Sequence, residues 1–280
     1  MNYSDIRKFS YKTERKVLKS MNINIDDWLY SPYSTFKIRF YIEGSCLLAF
    51  LLQHTGIKPN WITFLYAILG IAGGVLLSTG QENLIMVGVI ILFSKIIVDG
   101  TDGLLARIKK KTSNLGALLD SWAGLIGEYS FLVGFGMYLF NATQEIHYVY
   151  LIILMVLAKS LDLRDYVYHY LMYTIYKDNK DNKFIQKIRK KGKKINNENQ
   201  NISGNLIFLK NFFQNFLDYR GRTVDLIGLL IIIELNFDKI IITNFIYYLF
   251  FVKVIALSFG GFYLVYYKDF AKRVILKLKK

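Results

Sequence analysis

The sequence predicts an all-α, polytopic membrane protein: six transmembrane helices preceded by N-terminal interfacial amphipathic helices. Three observations predict it. Hydrophobic residues make up 53% of the 280 residues and the mean hydropathy is +0.28, which is more uninterrupted apolar sequence than a soluble domain carries. From residue 61 onward, apolar stretches near the roughly 20 residues needed to cross a bilayer recur. The basic residues behind the formal net charge of +15 gather in alternate connections.

The elements follow in order. Residues 1–33 are polar and basic, with Ile6, Phe9, Val17, Leu18 and Met21 scattered among charges. They predict one or two peripheral helices, with Trp28, Tyr30 and Tyr33 at the membrane interface. In 34–55 the apolar part, 44–52, is too short to span, and Lys37, Arg39 and Glu43 precede it. An amphipathic helix lying in the interface is expected there. Residues 1–55 thus form a cytoplasmic and interfacial segment, and 56–280 form the membrane domain.

Within that domain, 61–79 are uncharged and 84–105 become polar in their second half. Residues 114–140 carry Asp120 and Glu128, and 146–172 carry the charged stretch Lys159–Asp165. A fifth helix, 220–236, has only a short charge-free core, and a sixth, 240–267, is interrupted by Lys253.

Nine Lys and Arg lie in residues 1–60, four in 107–111, twelve in 177–222 and six from Lys268 onward, whereas the opposite connections carry only Lys239. Cytoplasmic loops have this asymmetry, so both termini are expected inside and nucleic acid is not needed to explain the charge. Within the basic 177–222 loop, the Asn-rich, low-complexity segment 177–200 is expected to be a solvated loop or else to attract anionic lipid head groups, a membrane partner worth ~1 kcal/mol per basic residue near the surface. The Lys/Asn/Ile-rich style points to a bacterial cytoplasmic membrane. One cysteine, Cys46, excludes an intrachain disulfide, and His54, His147 and His169 are too scattered for a histidine metal cluster.

The chemistry gathers in VDGTDGLLARIKKKTSNLGALLDSWAG, residues 98–124. Asp99 and Asp102, three apart, share a helix face at the end of an otherwise apolar stretch. Ionisable groups in such places are costly and signal function. Asp120 begins the next helix, and antiparallel packing across RIKKK would bring the three carboxylates together. Their repulsion calls for a cation, and hard oxygen ligands suit Mg²⁺ or Mn²⁺, with Ca²⁺ as a further choice. Gly100, Gly103 and Ala106 leave a groove beside them, Gly116 opens the facing helix, and Arg107 offers a fork for phosphate. Together they describe a pyrophosphate site.

This stretch resembles the CDP-alcohol phosphatidyltransferase family, whose pattern reads D-x2-D-G-x2-A-R-x8-G-x3-D-x3-D. Asp99, Asp102, Gly103, Ala106, Arg107, Gly116 and Asp120 match it. GIKPNWITF (56–64) is similar to the family's lead-in to its first membrane helix through Pro59, Asn60 and Thr63. The resemblance implies a CDP-alcohol donor, CDP-diacylglycerol being one such donor, an acceptor alcohol, release of CMP, and a homodimer. It implies metal at Asp99, Asp102 and Asp120, and CDP held by Asp99, Asp102, Gly103, Ala106, Arg107 and Gly116. The family's last aspartate, a metal ligand and base, falls here on Gly124. Glu128, one turn further on the same face, is a displaced base or else a partner for Lys95 or Lys159. A base from elsewhere and a non-catalytic CDP-binding or scaffolding relative stand beside that reading. Lys159 and Arg164 are expected to hold an acidic acceptor head group, or else to join an internal ion-pair network.

Overall fold

A computed structural model describes residues 1–20, 38–161, 166, 167, 222–237 and 242–266. Among these every regular element is helical. In chain order they are α1 (Tyr3–Ser20), a π-turn (Ile38–Ile42), α2 (Glu43–Leu52), α3 (Pro59–Leu77), α4 (Glu82–Ile108), α5 (Asn114–Thr143), α6 (His147–Ser160), α7 (Arg222–Phe237) and α8 (Ile242–Tyr266).

Among the described residues, four helices are long and apolar enough to cross a membrane: Pro59–Leu77, Glu82–Ile108, Leu115–Thr143 and Ile242–Tyr263. Their outward faces carry a lipid-compatible stripe. On α3, Trp61, Phe64, Leu65, Ile68, Ile71 and Val75 are exposed while Ile62, Tyr66 and Ala67 are buried, the helical spacing of a one-sided core. The other two expected spans are shorter as described: 14 residues in α6 and 16 in α7. Phe40–Leu52 is likewise helical, apolar and too short to span. The 177–221 part of the basic loop and the tail from 267 lie outside the described residues.

The chain forms two compact units. The first comprises Met1–Leu69 and Phe93–Ala123. Here α1 docks on α2: Ile6 is fully buried with Cys46, Ala49 and Leu104. Glu43, opening α2, accepts from Tyr3 Oη at 2.9 Å, Arg7 Nε at 2.8 Å and Tyr11 Oη at 2.9 Å. Burial raises the Glu43 pKa, but these donors together outweigh it and hold the carboxyl below its usual range. The same carboxylate and burial push the Tyr11 hydroxyl up to about 12. Ser45 on α2 donates to the Ile97 carbonyl at 2.9 Å. A side chain at Gly100 would collide with that serine, so the small residue seats a neighbouring helix.

α4 ends where Lys110 takes a left-handed conformation (φ 53°) and Lys111 N–H bonds back to the Ala106 carbonyl at 2.8 Å, a Schellman-type closure. Ser113 then caps α5, its Oγ accepting from Gly116 N–H at 3.0 Å. Pro59 occupies the first position of α3, where a missing N–H costs nothing.

The second unit comprises Gly70–Leu92 and the described residues from Gly124 onward. Backbones of α3 and α5 meet at Gly74 and Gly134, and any side chain at either would strike the other helix's backbone. Gly136 is filled by Tyr247 and Ile152. Gly134 and Gly136, two positions apart, lie on opposite sides of α5, and each admits a different neighbour from the same chain. Phe131, Phe135, Tyr138, Tyr148, Tyr247 and Phe250 are buried in this unit. Glu234 closes α7 onto α8: its Oε1 accepts from the N–H groups of Ile242 (3.0 Å) and Thr243 (3.1 Å), and Oε2 from the Thr243 hydroxyl.

Candidate functional site

The expected site residues from Asp99 to Asp120 all belong to the first unit. Asp102 is the buried one, with 7% of its surface exposed; Asp99 is half-buried and Asp120 exposed. Thr63, three positions into the helix after Asn60, donates its hydroxyl to Asp102 Oδ2 at 2.5 Å and is itself buried. The donor is ideally placed to fix the carboxylate's orientation, and a bond to an ionised acceptor is about twice as strong as a neutral one.

Asp102 also lies within the fields of Asp120 and Arg107. A buried carboxylate facing a second carboxylate is an arrangement that a cation relieves. The donor set, all hard oxygen, fits a divalent metal in kind. As the side chains stand, the described residues contain no group of three or more His, Cys, Asp or Glu gathered around one point. Of the expected three-carboxylate convergence, the described geometry gives the electrostatic pairing of Asp102 with Asp120.

The small residues behave as their chemistry requires. A side chain at Gly116 would meet Ser113 Oγ at 3.2 Å and Asn60 Oδ1 at 3.4 Å. Glycine keeps that space clear. Arg107 folds its guanidinium across Gly103, whose missing side chain would sit 3.7 Å from both terminal nitrogens. Ala106 is half-buried beside it. Glu14 of α1 also acts on Arg107, a link across the fold that no local pattern in the sequence signals. Lys95 is buried with its ammonium 5.6 Å from the Tyr66 ring centre.

Glu128 and Lys159 belong to the second unit. Lys159 Nζ lies 2.7 Å from Glu128 Oε1, with side-chain exposures of 11% and 1%. Lys159 also lies 5.3 Å from the centre of the Tyr129 ring. The base and the acceptor-binding lysine expected from the sequence are therefore each other's partners, the ion-pair alternative for both. Arg164 lies outside the described residues. Gly124 is open, with nothing within 4 Å of where a side chain would begin.

Helices long and apolar enough to cross a bilayer, with a buried carboxylate and an arginine near the end of one of them, mark an integral membrane protein. The family model for CDP-alcohol phosphatidyltransferase matches residues 57–217, more than half the chain. The protein belongs to the CDP-alcohol phosphatidyltransferase family. Family membership carries a CDP-alcohol donor, an alcohol acceptor and phosphatidyl transfer in lipid biosynthesis. No individual curated protein matches the chain.

Proposed function

We propose that the protein transfers a phosphatidyl-type group from a CDP-alcohol to an acceptor alcohol at the cytoplasmic face of the membrane, releasing CMP. The observation that carries this is the buried Asp102, held by Thr63 and set against Asp120 and Arg107. Asp99, Asp102 and Asp120 would hold Mg²⁺ or Mn²⁺, with Ca²⁺ a weaker substitute. A divalent cation bound there supplies neutralisation of the diphosphate and makes CMP a better leaving group.

The chain's own residues do the rest. Thr63 keeps the Asp102 carboxylate in one orientation. Arg107 offers its planar fork to a phosphate oxygen. Gly103, Ala106 and Gly116 leave room for the nucleotide to approach the backbone. The acceptor oxygen forms a bond to the alcohol-bearing phosphorus, the bond to CMP breaks, and the acceptor's proton passes to a base. Glu128 serves as that base only when Lys159 releases it. Lys159 and Arg164 would then hold an acidic acceptor head group. Six spans, cytoplasmic termini and a homodimer complete the proposal; positive charge in alternate connections supports the orientation.

The test is CMP release from CDP-diacylglycerol, or from a small CDP-alcohol, by purified protein. Release that requires Mg²⁺ or Mn²⁺ and is lost in Asp99→Asn supports the proposal. Release indifferent to that substitution overturns it. A second reading, a CDP-binding or scaffolding relative without turnover, is favoured by Gly124 and by the engaged Glu128–Lys159 pair. It predicts metal-dependent CDP binding with no CMP formed.

A further inference from the structure

The second unit holds a cavity of about 360 Å³ that the transferase chemistry does not use. Gly80, Glu82, Ile85, Tyr138, Asn141, Ala142, Glu234 and Leu235 line it. Its lining residues lie in the turn between α3 and α4 and near the C-terminal ends of α5 and α7. These ends lead into the connections poor in basic charge, so the cavity faces the non-cytoplasmic side in the orientation proposed above.

Its chemistry is one-sided. Among the described residues, two glutamates line it and no Lys, Arg or His does. Glu234 is buried and already accepts three hydrogen bonds that cap α8. Glu82 is exposed at the start of α4. Tyr138 is 1% exposed, yet its hydroxyl has no hydrogen-bond partner among the described residues. An orphaned buried hydroxyl is rare and calls for a missing partner. Asn141 gives its amide nitrogen to the Ser78 carbonyl at 2.8 Å, which leaves the amide oxygen as its acceptor. The wall therefore offers acceptors and negative charge, and it lacks a donor carrying positive charge.

We propose that this cavity binds an ammonium group, with Glu82 as its counter-ion and Tyr138 Oη as its neutral acceptor. Its volume admits an ammonium head group together with several waters and excludes a whole lipid. The ammonium could arrive on an aminolipid of the outer leaflet or as a free amine, and the shared chemistry is the same. A bare divalent cation fits less well, since the described residues gather no three acidic or imidazole ligands.

The test compares thermal unfolding of full-length protein in nanodiscs of dioleoyl-phosphatidylethanolamine with phosphatidylglycerol against phosphatidylglycerol alone. In parallel, ethanolamine is titrated into detergent-solubilised protein. Glu82→Gln and Tyr138→Phe are the variants; Glu234 is left intact because it caps α8. The expected result is a melting temperature several degrees higher with the aminolipid. Glu82→Gln should remove that rise or weaken the ethanolamine affinity about tenfold, as loss of a charge-assisted bond does. Tyr138→Phe should leave the unliganded protein as stable as wild type, since its hydroxyl bonds nothing, while reducing the ligand's effect. An effect of the lipid but not of ethanolamine assigns the lipid as the source; an effect of both assigns the amine itself. No effect of either, or an effect unchanged in both variants, overturns the proposal.

Discussion

Replacing Lys159 by Met leaves the Glu128 carboxylate buried with its 2.7 Å ionic partner gone. The two side chains are 11% and 1% exposed, so solvent can compensate little. Removing one member of a buried pair costs about 3–5 kcal/mol, because the remaining charge is stranded. The contact between the ammonium and the Tyr129 ring, 5.3 Å away, adds about 0.5–2 kcal/mol. Glu128→Gln should cost a similar amount by stranding Lys159. The double variant should recover much of the loss, since two neutral groups of similar shape can be nearly neutral in effect. Unfolding in one detergent, followed by helical circular dichroism, gives the three differences from wild type. A coupling above about 2 kcal/mol is expected, and singles that add to the double within about 0.5 kcal/mol would refute the reasoning. CMP release by the same variants separates structure from catalysis. If Glu128 is also the base, Glu128→Gln loses turnover at every acceptor concentration even at temperatures where it is folded, whereas Lys159→Met raises the acceptor concentration needed for half-maximal CMP release.

Three further outcomes follow from the geometry. Thr63→Val removes the 2.5 Å donor to Asp102; the Mn²⁺ concentration for half-maximal CMP release should rise about tenfold, matching a charge-assisted bond of about 1.5 kcal/mol. An unchanged metal requirement would show that Thr63 does not position the carboxylate. Gly124→Asp meets open space, so the variant should fold and gain turnover at least severalfold; a folded variant with no gain would show that a carboxylate at 124 is not what limits release. Docking of α1 should weaken in acid. The Glu43 carboxyl is held below its ordinary value of 4.5, so its contribution is complete above that pH and is lost as pH falls through the lower folded value. Hydrogen exchange across residues 3–20 should therefore rise only in acid below the ordinary glutamate range, and Glu43→Gln should abolish that dependence.

The long spans were legible because stretches of about 20 mostly apolar residues have few alternatives to a membrane helix. The fourth expected helix, 146–172, is helical from His147 to Ser160 and again at 166 and 167, and the rest of it lies outside the described residues. The fifth expected span holds Asp225 and Glu234, both buried in α7; Glu234 is there to cap the next helix. The Asp99–Asp120 stretch was legible for a different reason: charge at the end of an apolar helix has to be explained locally. Contacts made across distant segments were not legible. Glu43 is clasped by Tyr3, Arg7 and Tyr11, and periodicity reads each helix alone. Thr63 stood in the motif, but nothing in its spacing named Asp102 as its partner. Glu128 and Lys159 each had two readings, and only tertiary geometry joined them. The close approaches at Gly134 and Gly136 of α5 are made within the chain, by α3 on one side and by Tyr247 and Ile152 on the other.

The central claim is that Asp99, Asp102 and Asp120 share one divalent cation with a nucleotide diphosphate. Electron paramagnetic resonance of Mn²⁺ titrated into the purified protein, with and without CDP, tests it most directly. The account predicts tight Mn²⁺ binding strengthened by CDP, and its loss in Asp102→Asn while the helices remain folded. Equal binding by wild type and Asp102→Asn, or binding that CDP leaves unchanged, would contradict it.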